Sequence, residues 1–247
     1  MKLGAPNPLL KLLYQIASFI TWLFSNLVAR ARMPKWALKT LCKLLNIDLS
    51  EAEKKDVSHY STFLEIFLRT PSTISIDPSP LVAPCQGLVE CLFNTNFFQA
   101  EISLKGFLNL PNFEGVKSGL GIYLSPSDFH VVYSPLNCRV KDIFRVNGKL
   151  TTVNRRSILF EPQNWFLNER LVVDLEGNLG NFRLIFVGAL GVSGLKAEEA
   201  LTTGASIKQG QRIFSFELGS FIWLVSSSDL NFCVKLGHKL RIGQALI

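Results

Sequence analysis

Hydrophobic and polar positions fall into two textures, and the change between them organises the chain. Residues 9–28 are almost all apolar, broken by Lys11, Gln15, Ser18, Thr21 and Ser25. Those five recur every three or four residues, so on a helix they form one polar stripe beside a broad apolar face. Basic residues follow the run and no small-x-small cleavage site precedes a new domain, which reads against a signal peptide. A helix lying in a membrane interface is preferred to one that spans. Pro34 ends that helix or starts the next. A second helix is expected over 35–45, with Leu38, Leu41, Cys42 and Leu45 on one side. Ser50 and Glu53 have capping-box spacing, which predicts a short third helix. A fourth is expected over 59–69, with Phe63, Ile66 and Phe67 as its apolar face.

Residues 70–80 are rich in Thr, Ser and Pro, including Pro71, Pro78 and Pro80. A boundary is placed there, giving a helical segment over 1–70 and a β-rich body over 71–247. In the body, short β-like runs dominate: 88–93, 122–124, 130–133, 171–175, 182–187, 222–225 and 232–235. Gly, Asn, Pro and Asp punctuate them at the density of a sandwich or barrel. Two turn-rich phrases, 137–150 and 233–246, have the texture of hairpin arms in barrel-sandwich domains. The expected class is α+β.

Composition adds a membrane signal. The chain is 48% hydrophobic, 18% charged and +7 in net charge, with a mean hydropathy of +0.25. Seven basic residues (Lys2, Lys11, Arg30, Arg32, Lys35, Lys39 and Lys43) precede Asp48, the first acidic one. The rest of the chain carries nineteen of each sign. A basic, apolar N-terminus on a neutral body points to an anionic lipid surface, where each Lys or Arg adds about 1 kcal/mol. The positives interleave with Leu, Ile, Phe and Trp, which reads against nucleic acid. Five cysteines without a CxxC pair read as reduced thiols. Three histidines with no ligand spacing read against a metal site.

The chemistry rests on a Gly-Ser pair in context. FSFELGSF at 214–221 follows NER at 168–170 and VGALGVSG at 187–194. Upstream stand LSEAEKK at 49–55, HYSTFLEIFLR at 59–69, APCQG at 83–87, AEISLKGFL at 100–108, DFHVVYSP at 128–135 and GKLTTVN at 148–154. In this order the strings resemble those of phosphatidylserine decarboxylases. The resemblance implies a body of that fold, barrel-sandwich-like, behind N-terminal membrane-associating helices. It implies that the chain is a zymogen that cuts itself at Gly219–Ser220. Ser220 Oγ attacks the Gly219 carbonyl, an N-to-O acyl shift gives an ester, and β-elimination followed by hydrolysis leaves a pyruvoyl group at the former Ser220. That self-derived cofactor takes up the substrate amine and acts as an electron sink while carbon dioxide leaves. An acid then protonates the carbanion, and His130 is the candidate.

The chain departs from the family at two places in the relay that assists cutting. The family's Asp is Gln86 here, and the second His of its two-histidine motif is Tyr133, while the first is kept as His130. Gln86 cannot stabilise an imidazolium as a carboxylate does. A tyrosine with pKa about 10 is phenolate in only about one molecule in a thousand at pH 7. Using Tyr133 as a base therefore costs about 4 kcal/mol, or roughly a thousandfold in rate. His130 is the alternative base. Asp128 is expected to cap the turn before the His130 strand, Asn168 to hold a backbone turn, and Glu169 and Arg170 to form an ion pair. Phe221 stands where a small residue is usual and is expected to crowd the site.

Two readings follow. The first is a carboxy-lyase of phospholipid biosynthesis, converting phosphatidylserine to phosphatidylethanolamine. It would be peripheral at the cytoplasmic face of a bacterial-type inner membrane, with a homo-oligomer compatible with the sequence. The second is an uncut, non-catalytic lipid-binding relative. A carrier module of the lipoyl or phosphocarrier kind ranks third, because no Lys or His stands in a carrier phrase.

Overall fold

The computed structural model describes residues 12, 13, 16, 19, 20, 23–94, 98, 99, 115–149, 151, 167–189, 195–217 and 220–247. The backbone is helical at Leu12, Leu13, Ile16, Phe19, Ile20 and Leu23 and passes into a π-helical turn, Phe24–Val28. Of the polar stripe, Lys11, Gln15, Ser18 and Thr21 lie outside the described residues, as does the Ser25 side chain. Among the described residues no helix is long and apolar enough to cross a membrane.

Helix α1, Lys35–Leu44, follows Pro34 and buries Leu38 and Cys42, as the apolar spacing requires. The capping box is real but lies elsewhere. Ser50 turns back to Asp48, donating its N–H and hydroxyl at 2.8 Å each. Glu53 is engaged by the Thr70 hydroxyl at 2.8 Å. No helix forms at 50–53. The same spacing operates at Thr62 and Glu65: Glu65 N–H donates to Thr62 Oγ1 at 3.2 Å, and Ser61 N–H donates to Glu65 Oε2 at 2.7 Å. The fourth expected helix shrinks accordingly to α2, Phe63–Phe67, which buries Phe63, Ile66 and Phe67.

The body is mostly β-sheet. Its strands are β1 Gly87–Phe93, β2 Phe98–Gln99, β3 Ser118–Leu124, β4 Val131–Tyr133, β5 Cys138–Val146 and β6 Arg170–Gly177. There follow β7 Gly180–Gly188, β8 Leu195–Ala197, β9 Ser206–Ile207, β10 Arg212–Phe216, β11 Ser220–Ser226 and β12 Lys239–Leu240. Nine form one sheet in the order β12-β1-β3-β11-β7-β6-β5-β9, with β2 also on β1. Three form a second sheet, β4-β10-β8. Among the described residues the large sheet ends at β12 and β9 and does not close into a barrel.

Two sequence expectations fail here. The 137–150 phrase is not a hairpin but contains one long strand, β5, paired with β6 and β9. Residues 232–235 form no strand; Cys233 N–H reaches Leu246 O at 2.8 Å, and the paired backbone shifts to β12. The core lies between the sheets. Phe186 of β7 stacks on Phe214 of β10 at 4.0 Å, and Phe216 meets Phe214 edge-on at 4.8 Å. Such pairs stabilise beyond the apolar area they bury.

Candidate active site

Two crossings between the sheets lie side by side. In the large sheet, β3 pairs antiparallel with β11 and sets Leu124 opposite Ser220. In the small sheet, β4 pairs antiparallel with β10 and sets Val131 opposite Ser215. Phe216 N–H also donates to His130 O at 2.9 Å. The chain thus leaves the large sheet through 125–130 and returns to it between Phe216 and Ser220. Gly219 lies outside the described residues, as does the Ser220 side chain. The Ser220 backbone begins β11, between Leu124 of β3 and Gly188 of β7.

The outgoing crossing is pinned from several directions. Asp128, 1% exposed, accepts the Ser125 N–H at 2.8 Å and the Ser125 hydroxyl at 2.7 Å, so it does cap this turn. Its other carboxylate oxygen accepts from Lys239 Nζ of β12. Buried Arg69, just beyond α2, donates to Ser127 O at 2.6 Å and lies over the Phe129 ring at 4.9 Å. Burial holds that guanidinium below its usual pKa. Gln86 accepts the Phe129 N–H at 3.0 Å through Oε1. Gln86 and Phe129 also line a cavity of about 520 Å³, shared with Glu51, Asp77 and Arg241.

His130 is held inside this frame. It is fully buried, and its Nδ1 is 3.0 Å from Asp128 O. A carbonyl accepts only, so Nδ1 carries the proton in the neutral ring and Nε2 is left as the acceptor. Among the described residues Nε2 is buried without a hydrogen-bond partner. Phe67 lies against the imidazole at 3.8 Å between centroids. Burial pulls the ring pKa down to about 3, outweighing the opposing pull of the Asp128 carbonyl and carboxylate and the Leu124 carbonyl; Arg69 pushes the same way as burial.

The returning side is built by Asn168. This fully buried amide donates to Gly188 O at 2.7 Å and Thr151 O at 2.8 Å. Its oxygen accepts the Thr151 N–H at 3.1 Å and hydroxyl at 2.6 Å. Gly148 allows the approach: a Cβ there would meet Leu167 O at 2.3 Å. The GKLT, NER and VGA phrases therefore meet beside the Ser220 backbone.

The remaining sequence candidates are placed differently. Tyr133, 8% exposed, is opposite Arg212, at the far end of β4 from the crossings. Three residues of strand put it about 10 Å along from His130. Burial raises its hydroxyl pKa. Gln86 engages the Phe129 backbone. Glu169 pairs with Arg145 at 2.6 Å rather than with Arg170, whose buried Nε has no partner. The Phe221 ring lies over Gly121, where a Cβ would meet Phe221 Cζ at 2.8 Å. Arg69 and Lys239 were not singled out from the sequence. Arg69 ends the YSTFLEIFLR phrase, and that was the available signal.

The N-terminal segment touches both crossings. Phe24 meets Phe63 edge-on at 5.5 Å, Phe63 lies 6.3 Å from Phe67, and Phe67 covers His130. Arg30 pairs with Glu217, in the return crossing, at 2.5 Å.

Comparison with known proteins gives a consistent answer. A family model described as phosphatidylserine decarboxylase matches residues 60–247. The chain is 28% identical to a phosphatidylserine decarboxylase proenzyme of Campylobacter jejuni, over 89% of this chain and 94% of that protein. It is 29% identical to the corresponding proenzyme of Xanthomonas euvesicatoria, over 74% of this chain and 70% of that protein.

Proposed function

Because this chain belongs to the phosphatidylserine decarboxylase family, we propose that it is a self-processing enzyme that converts phosphatidylserine to phosphatidylethanolamine at an anionic membrane surface. The observation that carries the reading is the buried Nε2 of His130, without a partner among the described residues, in the loop whose carbonyl accepts the Phe216 N–H just before the chain returns to β11 at Ser220. An orphaned buried acceptor costs stability, and a site that moves protons is a reason to retain one.

This reading places a self-derived pyruvoyl group at the former Ser220. That group, once formed, supplies the electron sink for loss of carbon dioxide. The protein's own parts do the rest. Asn168 fixes Gly188, the neighbour of Ser220 on β7. Asp128, Arg69 and Gln86 fix the loop that carries His130. The burial of His130 keeps water from its Nε2. Exposed Leu12, Ile16, Phe19, Ile20, Leu23 and Leu27 offer an apolar face to lipid, and the seven basic residues before Asp48 favour anionic headgroups. The peripheral location at the cytoplasmic face of a bacterial-type inner membrane belongs to this proposal.

A specific observation supports the second reading, an uncut lipid-binding relative. The Gln86 oxygen is engaged by the Phe129 backbone, and Tyr133 faces Arg212 rather than the crossings. Purified protein incubated with phosphatidylserine vesicles separates the two. The enzyme releases carbon dioxide and phosphatidylethanolamine in equal amounts, and phenylhydrazine, which traps reactive carbonyls, abolishes both. Vesicle binding without either product favours the uncut relative.

A further inference from the structure

We propose that the cavity beside Gln86 is a binding site for a small zwitterion, a primary ammonium joined by a short carbon link to a single negative charge; this goes beyond the self-processing reading and does not need it. The cavity, of about 520 Å³, is lined by Glu51, Asp77 and Arg241 together with Gln86, Phe129 and Ile242. The uncut chain already holds all of them.

Its walls are pinned by backbone. Ser72 N–H donates to Glu51 O at 2.8 Å, Asp77 N–H to Gly243 O at 2.9 Å, and Ala83 N–H to Gln244 O at 2.7 Å. Gly243, at φ 78°, permits the close crossing: a Cβ there would meet Ser75 O at 2.3 Å. Segments distant in sequence are thereby tied around one opening, so the cavity is formed before any ligand arrives.

The charges select the ligand. Glu51 and Arg241 are exposed, opposite in sign and lining one cavity, yet they do not pair. Among the described residues neither charged group makes a hydrogen bond or an ion pair. Asp77 adds a second carboxylate, which accepts the Ser79 N–H at 3.3 Å. A lone anion would meet two carboxylates, and a lone cation would meet the guanidinium. A molecule carrying both charges is matched at both ends. Gln86 adds an oriented donor. Its Oε1 is fixed by the Phe129 N–H at 3.0 Å, which leaves Nε2, a donor only, for the cavity. Phe129 and Ile242 give an apolar wall that suits the carbon link. Two sources present this chemistry: the headgroup of an aminophospholipid and a free amino acid.

The test is calorimetric titration of the full chain with glycerophosphoethanolamine, a soluble form of such a headgroup, and with L-serine. At least one is expected to bind one-to-one, and the tighter of the two identifies the source. Inorganic phosphate and ethanolamine each hold one of the two charges and are expected to bind at least about tenfold more weakly. Arg241→Gln and Glu51→Gln are each expected to weaken zwitterion binding at least about tenfold, the worth of one hydrogen bond to a charged group. Both side chains are exposed, so urea midpoints are expected to stay where they were, which separates lost binding from lost folding. Phosphate or ethanolamine binding as tightly as the zwitterions overturns the proposal. So does binding that both substitutions leave intact, or no binding of either zwitterion at millimolar concentration. None of these results decides whether the chain is cut, which intact mass reads separately.

Discussion

Asn168 donates its side-chain amide to Gly188 O at 2.7 Å, and Gly188 is the residue paired with Ser220 across β7 and β11. Every polar atom of this buried amide is used, and three of its four bonds go to Thr151. Asn168→Ala leaves the Gly188 carbonyl and Thr151 without these partners. A buried group left unsatisfied costs about 1–3 kcal/mol, so a loss of about 2–4 kcal/mol is expected in urea titrations. Asn168→Asp keeps the acceptor but cannot donate to either carbonyl, and is expected to be little better. Midpoints unchanged in both variants would contradict the positioning role.

The buried His130 makes stability depend on pH in a definite direction. Its pKa falls from 6.5 to about 3 on folding. Below about pH 6.5 the unfolded chain binds a proton that the folded chain refuses. Stability therefore declines as pH falls from 6.5 towards 3, by about 1.4 kcal/mol per unit from this group. His130→Gln has no such group and is expected to show a shallower acid limb in denaturant titrations at pH 7, 5 and 4. Parallel limbs for the two proteins would contradict the buried neutral imidazole.

Much of the fold was legible because its signals are local. The change at 70–80 from helical periodicity to short, turn-bounded runs precedes the first strand, β1, which starts at Gly87. The capping box shows the limit of such signals. Ser50/Glu53 and Thr62/Glu65 share one spacing, and the competing partners, Asp48 two residues back and Thr70 farther along the chain, decide which operates. β5 and β10 were missed because pairing, not alternation, defines them. His130 was legible within its motif. Which of His130 and Tyr133 stands nearer Ser220 along the fold was not, because that depends on pairing Leu124 with Ser220 and Val131 with Ser215, residues far apart in sequence. Arg69 and Lys239 reach the loop from distant elements for the same reason.

Cutting before Ser220 should not release the shorter piece. β11 is paired along its whole length with both β3 and β7. Lys239 of that piece pairs with buried Asp128, and Ala245 bridges to Val82. The two pieces are expected to elute together on native size exclusion and to separate in denaturant. Separation under native conditions would contradict the sheet order.

The exposed apolar face of the N-terminal helix should carry vesicle binding. Phe19 is 62% exposed and Leu23 39%. Placing aspartate at both is expected to lower flotation with anionic vesicles at least tenfold. High salt should also weaken it, because the screening length contracts to about 3 Å at 1 M. Flotation indifferent to salt and to these changes would contradict an interfacial helix.

The most direct test is the mass of the purified chain after incubation on anionic vesicles. Self-processing predicts loss of the 27.6 kDa species and the appearance of pieces of 219 and 28 residues, the shorter blocked at its N-terminus. A single 27.6 kDa species that persists through prolonged incubation contradicts it.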